Sequence, residues 1–228
     1  MEDIPVITID GPGGAGKGTI AQMLCIQLNW NILDSGALYR TLAFLLDERQ
    51  IDLDNFNLEK EKIREEFKVS FDPGDLGEPV KVIFQGKDIT DLIRTEEIAL
   101  KTSLIAVSAE VREFIRPCQR DFMKLPGLVA DGRDMGTVIF PDADLKIYLT
   151  ASIEERAKRR QSQLISQGSR VNMRVLLQEL SARDKNDMER EHSPLRPAKN
   201  SYVIDTTNIE PEGVIEEIKS LPFKFLNK

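Results

Sequence analysis

The sequence predicts an α/β fold, with five parallel strands covered by helices on both faces and a small antiparallel piece inserted among them. Three observations carry this. Short apolar runs at residues 5–9, 31–36, 127–136, 145–151 and 201–207 alternate with helical patterns. A glycine-rich turn joins the first run to the first helical pattern. Residues 67–91 break the rhythm with two strands of alternating polarity.

The first run, "PVITI", is β-branched and bounded by Pro5 and Gly11, as a buried strand would be. Ile20, Met23, Leu24 and Leu28 then recur at helical spacing over 17–28. "NILDSG" gives the second strand. "FKVSF" and "VKVIF", joined by "DPGDLGEP" and closed by "QGKD", form the antiparallel piece, and residues about 60–104 belong to the insertion. "GLVADGRDMG" and "LKIYLTA" supply two more core strands. A helix follows from an N-cap at Ser152 to near Gly168, and a second spans 171–191, stopping before "SPLRP". "SYVIDTT" is the last strand. In parallel sheets function gathers at the carboxyl ends of strands. Asp10, Asp34, Asp131, Arg133, Asp134 and Asp205 stand at those ends.

With 228 residues, 41% of them hydrophobic and 30% charged, the chain suits a single soluble domain. A net charge of −7 argues against a nucleic-acid binder and requires any phosphate site to be locally basic. Cys25 and Cys118 read as reduced thiols, and a lone His192 without a CxxC pair leaves little for structural zinc. No apolar run approaches membrane-spanning length, and no signal-peptide pattern opens the chain. The expectation is a cytoplasmic protein with no membrane partner. An acidic surface without an evident apolar seam favours a monomer.

Gly11, Gly16 and Lys17 fit G-x-x-x-x-G-K within "IDGPGGAGKGTI", between a strand and a helix. Backbone N–H groups of such a loop face phosphate oxygens, the helix N-terminus adds partial positive charge, and the lysine meets the β and γ phosphates. The stretch Gly11, Pro12, Gly13, Gly14, Ala15, Gly16, Lys17, Gly18 and Thr19 is therefore the expected triphosphate cradle. One departure stands out. The residue after the lysine is usually Ser or Thr, whose hydroxyl meets Mg²⁺; here Gly18 takes that place and Thr19 follows.

Phosphoryl transfer needs alignment and positive charge more than covalent chemistry, and arginine's planar fork suits it. Arg40 follows the second strand and Arg133 the third. Arg183 and Arg190 share a helical face with Asp187 between them, as a phosphate-binding stripe or as a solvated face with an Arg183–Asp187 ion pair. Arg156, Arg159 and Arg160 recur at helical spacing after Ser152, as a phosphate-facing edge or a solvated one.

With "LDSGALYR" (33–40) and "DGRDMGTVIFPDA" (131–143), the sequence resembles the bacterial cytidylate kinases, a family of P-loop nucleoside monophosphate kinases. The resemblance covers essentially the whole chain, insertion included. It implies transfer of the γ-phosphoryl of ATP to CMP or dCMP, with Mg²⁺ carried mainly by ATP and Thr19 as a candidate ligand. It implies a core (about 1–33, 105–150 and 192–228), a CMP-binding part with the insertion (about 34–104), and a lid with the late helix (about 151–191).

On the site, the resemblance implies Asp134 and Arg112 for the cytosine edge with Ser35 nearby; Asp187, Arg183 and Ser103 for the sugar; and Arg40, Arg133 and Arg190 for the CMP phosphate. Tyr39 packs against that pocket. Lys17, Arg133, Arg156, Arg160 and Arg190 serve the transfer, with Arg159 as the alternate lid arginine. Asp34 and Asp131 hold a Mg²⁺-bound water or anchor an arginine; neither is needed as a base, because the nucleophile is an ionised phosphate oxygen. Insertion and lid are expected to close and exclude water.

Other acceptors are not separated from CMP by the loop alone. A switch GTPase would need N-K-x-D, and "ARDKNDME" has those letters in the wrong order. A non-catalytic nucleotide binder would not need an intact arginine stripe.

Overall fold

A computed structural model describes residues 4–166 and 172–226. Strand β1 (Val6–Asp10) is buried at every residue and lies at the centre of a five-stranded parallel sheet. In chain order the others are β2 (Asn31–Asp34), β6 (Leu128–Gly132), β7 (Leu145–Thr150) and β8 (Tyr202–Asp205), arranged β2-β6-β1-β7-β8. The register aligns Asp34 with Asp131 and Asp10 with Gly132, so the carboxylates end their strands at one level.

Because side chains alternate along a strand, the sheet feeds two cores. Val6, Leu33, Leu128 and Ala130 pack on one side beneath helices α2 (Ser35–Glu48) and α5 (Ala109–Arg120). Ile7, Ile9, Val129 and Ile147 pack on the other beneath α1 (Lys17–Leu28) and α8 (Pro211–Lys219). The three layers match the expected fold class.

Several boundaries carry physical causes. β2 ends two residues before the apolar run does, because Asp34 turns from strand to cap and accepts the Ala37 N–H at 2.9 Å. The inserted sheet has a third strand that the sequence pattern gives only as a closure: β3 (Val69–Asp72), β4 (Lys81–Phe84) and the two-residue β5 (Lys87–Asp88) pair antiparallel in that order. Gln85 and Gly86, at φ 50° and 80°, make the turn, since a two-residue hairpin wants positive φ at both positions. Helix α3 (Phe56–Glu66) precedes this sheet and α4 (Glu96–Ile105) follows it.

Helix α6 (Ile153–Ser166) starts where expected, with Ser152 Oγ accepting the Glu155 N–H at 3.2 Å. Its expected end near Gly168 lies outside the described residues. Helix α7 (Met173–Glu189) covers most of the predicted 171–191 span. Both cysteines are free thiols. Among the described residues no helix is long and apolar enough to cross a membrane.

Candidate active site

The loop between β1 and α1 is shaped by glycine where no other residue fits. A β-carbon on Gly11 would lie 2.0 Å from the Leu149 carbonyl oxygen, so the chain passes against β7 only without a side chain. Gly16, at φ 88°, is the left-handed N-cap from which α1 departs. The loop's carbonyls are held from outside. Lys17 Nζ donates to Pro12 O at 3.0 Å, Arg156 Nη1 to Gly13 O at 3.2 Å and Thr206 Oγ1 to Ala15 O at 3.1 Å. The N–H groups of Gly13, Gly14, Ala15 and Gly16 donate to no acceptor among the described residues. Carbonyls satisfied outward and N–H groups left over describe an anion cradle.

Charge beneath the loop is crowded. Lys17 Nζ is 3.9 Å from Asp131 Oδ1, with both residues buried. Burial, then repulsion from Arg133, lowers the Lys17 ammonium to about 8. Burial raises the Asp131 carboxyl to about 7 against the pull of Lys17. Asp10, the last residue of β1, accepts the N–H groups of Met135 and Gly136, both at 2.8 Å, which fixes the turn after β6 against the sheet. Burial still lifts it to about 6. Gly18 has a neighbour here too: a β-carbon on it would lie 3.5 Å from Asp131 Oδ2, an ordinary contact.

The arginines gather around Asp187. Arg133 Nε donates to Asp187 Oδ2 at 2.9 Å, and Arg190 Nη1 stands 3.8 Å from Oδ1 of the same carboxylate. The helical spacing alone admits an Arg183–Asp187 pair; the structure forms none, because Asp187 faces the strand-end Arg133. Arg183 is exposed to solvent, although crowding by the protein and then the Arg133 charge lower its pKa to about 10. Arg190 Nη2 is buried without a partner. Arg133 reaches the loop as well: a β-carbon on Gly13 would lie 3.6 Å from its Nη2.

A second cluster adjoins these arginines, since Arg190 lies within electrostatic reach of Arg112 and Asp134. Arg112 Nη2 donates to Asp134 Oδ2 at 2.5 Å, and the guanidinium carbon lies 5.9 Å from the centroid of the buried Tyr39 ring. Ser35 is buried beneath, its hydroxyl accepting from Gln119 Nε2 at 2.8 Å. Arg40 donates to the Ile93 carbonyl at 3.0 Å, and burial lowers its pKa. Ser103 is exposed on α4 with its hydroxyl on the Ala99 carbonyl at 3.0 Å, in contact with none of these arginines.

The family described as cytidylate kinase matches residues 7–222. The chain belongs to the cytidylate kinase family. A protein of Pseudomonas putida KT2440 named cytidylate kinase is 46% identical to it, over 95% of this chain and 94% of its own. One of Pseudomonas entomophila L48 with the same name is 47% identical over the same shares. One of Stutzerimonas stutzeri A1501 is 46% identical over 96% of each chain.

The α6 arginines divide three ways in this family member. Arg156 is buried, bonded to Ala151 O at 3.0 Å and Gly13 O and paired with Asp184 at 2.6 Å, so it clamps the phosphate loop to α7. Arg159 bonds Thr206 Oγ1 at 3.1 Å and the Thr206 carbonyl at 2.6 Å, beside Gly16. Arg160 crosses to Glu96 at the start of α4. The partners Asp184, Thr206, Glu96 and Gln119 went unremarked in the sequence, since each acts through a residue far away along the chain. Thr206 alone leaves a trace, following a strand-end aspartate as "DTT".

Proposed function

We propose that this chain transfers the γ-phosphoryl group of ATP to CMP or dCMP, releasing ADP and CDP or dCDP. The observation that carries the reading is a row of charged side chains with two poles, joined through Arg133, Asp187 and Arg190. An anion cradle with spare N–H groups stands at one end, a buried Arg112–Asp134 pair at the other, and arginines between.

The cradle N–H groups and Lys17 hold the β and γ phosphates. An ionised oxygen of the acceptor phosphate forms the new bond to the γ phosphorus as the bond to the ADP oxygen breaks, in line, with no proton removed. Arg40, Arg133 and Arg190 hold the acceptor phosphate. The unpartnered Arg190 Nη2 supports this, since a buried guanidinium nitrogen wants an acceptor. Asp134 accepts from the cytosine 4-amino group, and Arg112 donates to the ring acceptors. Arg183, Asp187 and Ser103 face the sugar. Arg156 and Arg160 counter charge on the transferring group, Arg156 while clamping the loop.

A Mg²⁺ ion carried by ATP would supply charge neutralisation at the phosphates. Thr19, and Asp34 or Asp131 through water, are the residues that would hold it. The reading includes a monomeric cytoplasmic enzyme with the core, acceptor-binding part and lid divided as the resemblance implies.

A panel of nucleoside monophosphates with Mg²⁺–ATP tests it. CMP and dCMP should turn over far faster than AMP or GMP. Equal or greater rates with AMP would sink the assignment.

A further inference from the structure

Gln22 is a polar residue on α1 that the amphipathic pattern places nowhere in particular, yet it is only 4% exposed. Its side-chain amide reaches out of α1 into the loop between β3 and β4. Nε2 faces three carbonyl oxygens there: Pro73, Asp75 at 3.1 Å and Glu78 at 2.9 Å. An amide nitrogen carries two hydrogens, so three convergent carbonyls saturate it. Val80, at the end of the same loop, is buried in the core beneath α1, and Phe71 touches both cores.

The tip of the insertion is thus fastened to the helix that opens with Lys17. From there the bonds run on toward the acceptor site. Arg94 Nη2 donates to Val80 O at 3.1 Å, and Arg40 Nη1 donates to Ile93 O at 3.0 Å.

We propose that Gln22 is a positioning residue for acceptor binding: it anchors the insertion tip to α1, so that the acceptor-binding part turns about a fixed point and delivers Arg40 and Arg94 already oriented. The proposal deepens the kinase reading and rests on it. Without the anchor, binding the acceptor must also order the insertion, and that cost appears as weaker apparent affinity. The donor site, held by Thr206, Arg156 and Lys17, does not depend on the tip.

The test compares Gln22→Leu, which removes the donor, Gln22→Glu, which sets a carboxylate against three carbonyls, and Gln22→Lys, whose ammonium restores three donors. In Leu and Glu variants KM for CMP should rise about tenfold, with kcat and KM for ATP within about twofold. Amide exchange should quicken over residues 74–80 and stay unchanged in β1. Gln22→Lys should recover both readouts. If Gln22→Leu is too unstable to assay, Gln22→Asn, one methylene shorter, replaces it.

Faster exchange with unchanged KM for CMP would overturn the proposal, as would unchanged exchange or an equal loss in both substrates. Should the wild type prefer another acceptor, the kinase reading fails by itself, and the Gln22 comparison is read on the acceptor it prefers.

Discussion

Arg112 on α5 and Asp134 in the turn after β6 form a buried ion pair, Nη2 to Oδ2 at 2.5 Å, with side chains 9% and 6% exposed. Such a pair adds little net stability, because desolvation offsets the attraction, but it sets a donor and an acceptor in fixed places. A cytosine presents an amino group where uracil presents a carbonyl oxygen, so a carboxylate accepts from the first and repels the second. Asp134→Asn should therefore shrink the preference for CMP over UMP by at least about tenfold, measured as a ratio of kcat/KM values. An unchanged ratio would remove Asp134 from base recognition. Arg112→Met removes the hydrogen-bonded partner of the buried Asp134 carboxyl, and should destabilise the fold by about 3–5 kcal/mol in urea unfolding.

Gly11 in the phosphate loop and Gly18 in the first turn of α1 differ in what they forbid. Gly11→Ala drives a β-carbon to within 2.0 Å of the Leu149 carbonyl oxygen, between backbones that are both fixed. It should cost more than about 3 kcal/mol or prevent folding. Gly18→Ser meets only an ordinary contact with Asp131 and should fold with stability within about 1 kcal/mol of wild type. Thermal melts of the two variants decide the matter. The absence of the usual hydroxyl after Lys17 is thus no requirement of the backbone.

Much of the fold was legible because its strands are short β-branched runs and its helices keep their period. What escaped has a common cause. β5 has only two residues, too few for a pattern, and is specified by the turn at Gln85 and Gly86. Gln22 carries no signal in the helical pattern, because the loop 73–80 that buries it comes from more than fifty positions away. In the site, the motif residues were legible and their partners were not. Asp187 can pair with Arg183 by helical spacing, yet a strand brings Arg133 nearer. Arg156 and Arg160 look equivalent on one helix face; only the tertiary fold makes one a loop clamp and the other a contact to Glu96.

Buried acids make stability fall as pH rises. Burial lifts Asp10 from 3.8 to about 6, so between those values the folded protein holds a proton that the unfolded chain has lost. Its favourable contribution is complete below about pH 4 and disappears as pH rises through 6, a change of about 3 kcal/mol. Asp131 acts with the same sign up to about 7. Asp10→Asn should remove the Asp10 share. Urea unfolding of both proteins from pH 4.5 to 7 should show the wild type losing stability relative to the variant. Parallel profiles would mean that Asp10 does not titrate there.

Lys17 is costly to bury and is retained by function. Its ammonium is pushed down to about 8 by burial and by Arg133, with one hydrogen bond to Pro12 O and Asp131 at 3.9 Å in partial compensation. Lys17→Ala should therefore leave the circular dichroism spectrum unchanged and shift the melting temperature by only a few degrees. Turnover should fall by at least about a hundredfold, since the charge that meets the β and γ phosphates in the transition state is gone. The loop's N–H groups remain, so ATP should still bind, more weakly. Wild-type turnover in the variant would remove Lys17 from the mechanism. A large drop in melting temperature would instead make the Pro12 bond the lysine's main contribution, and the buried charge would then be structural.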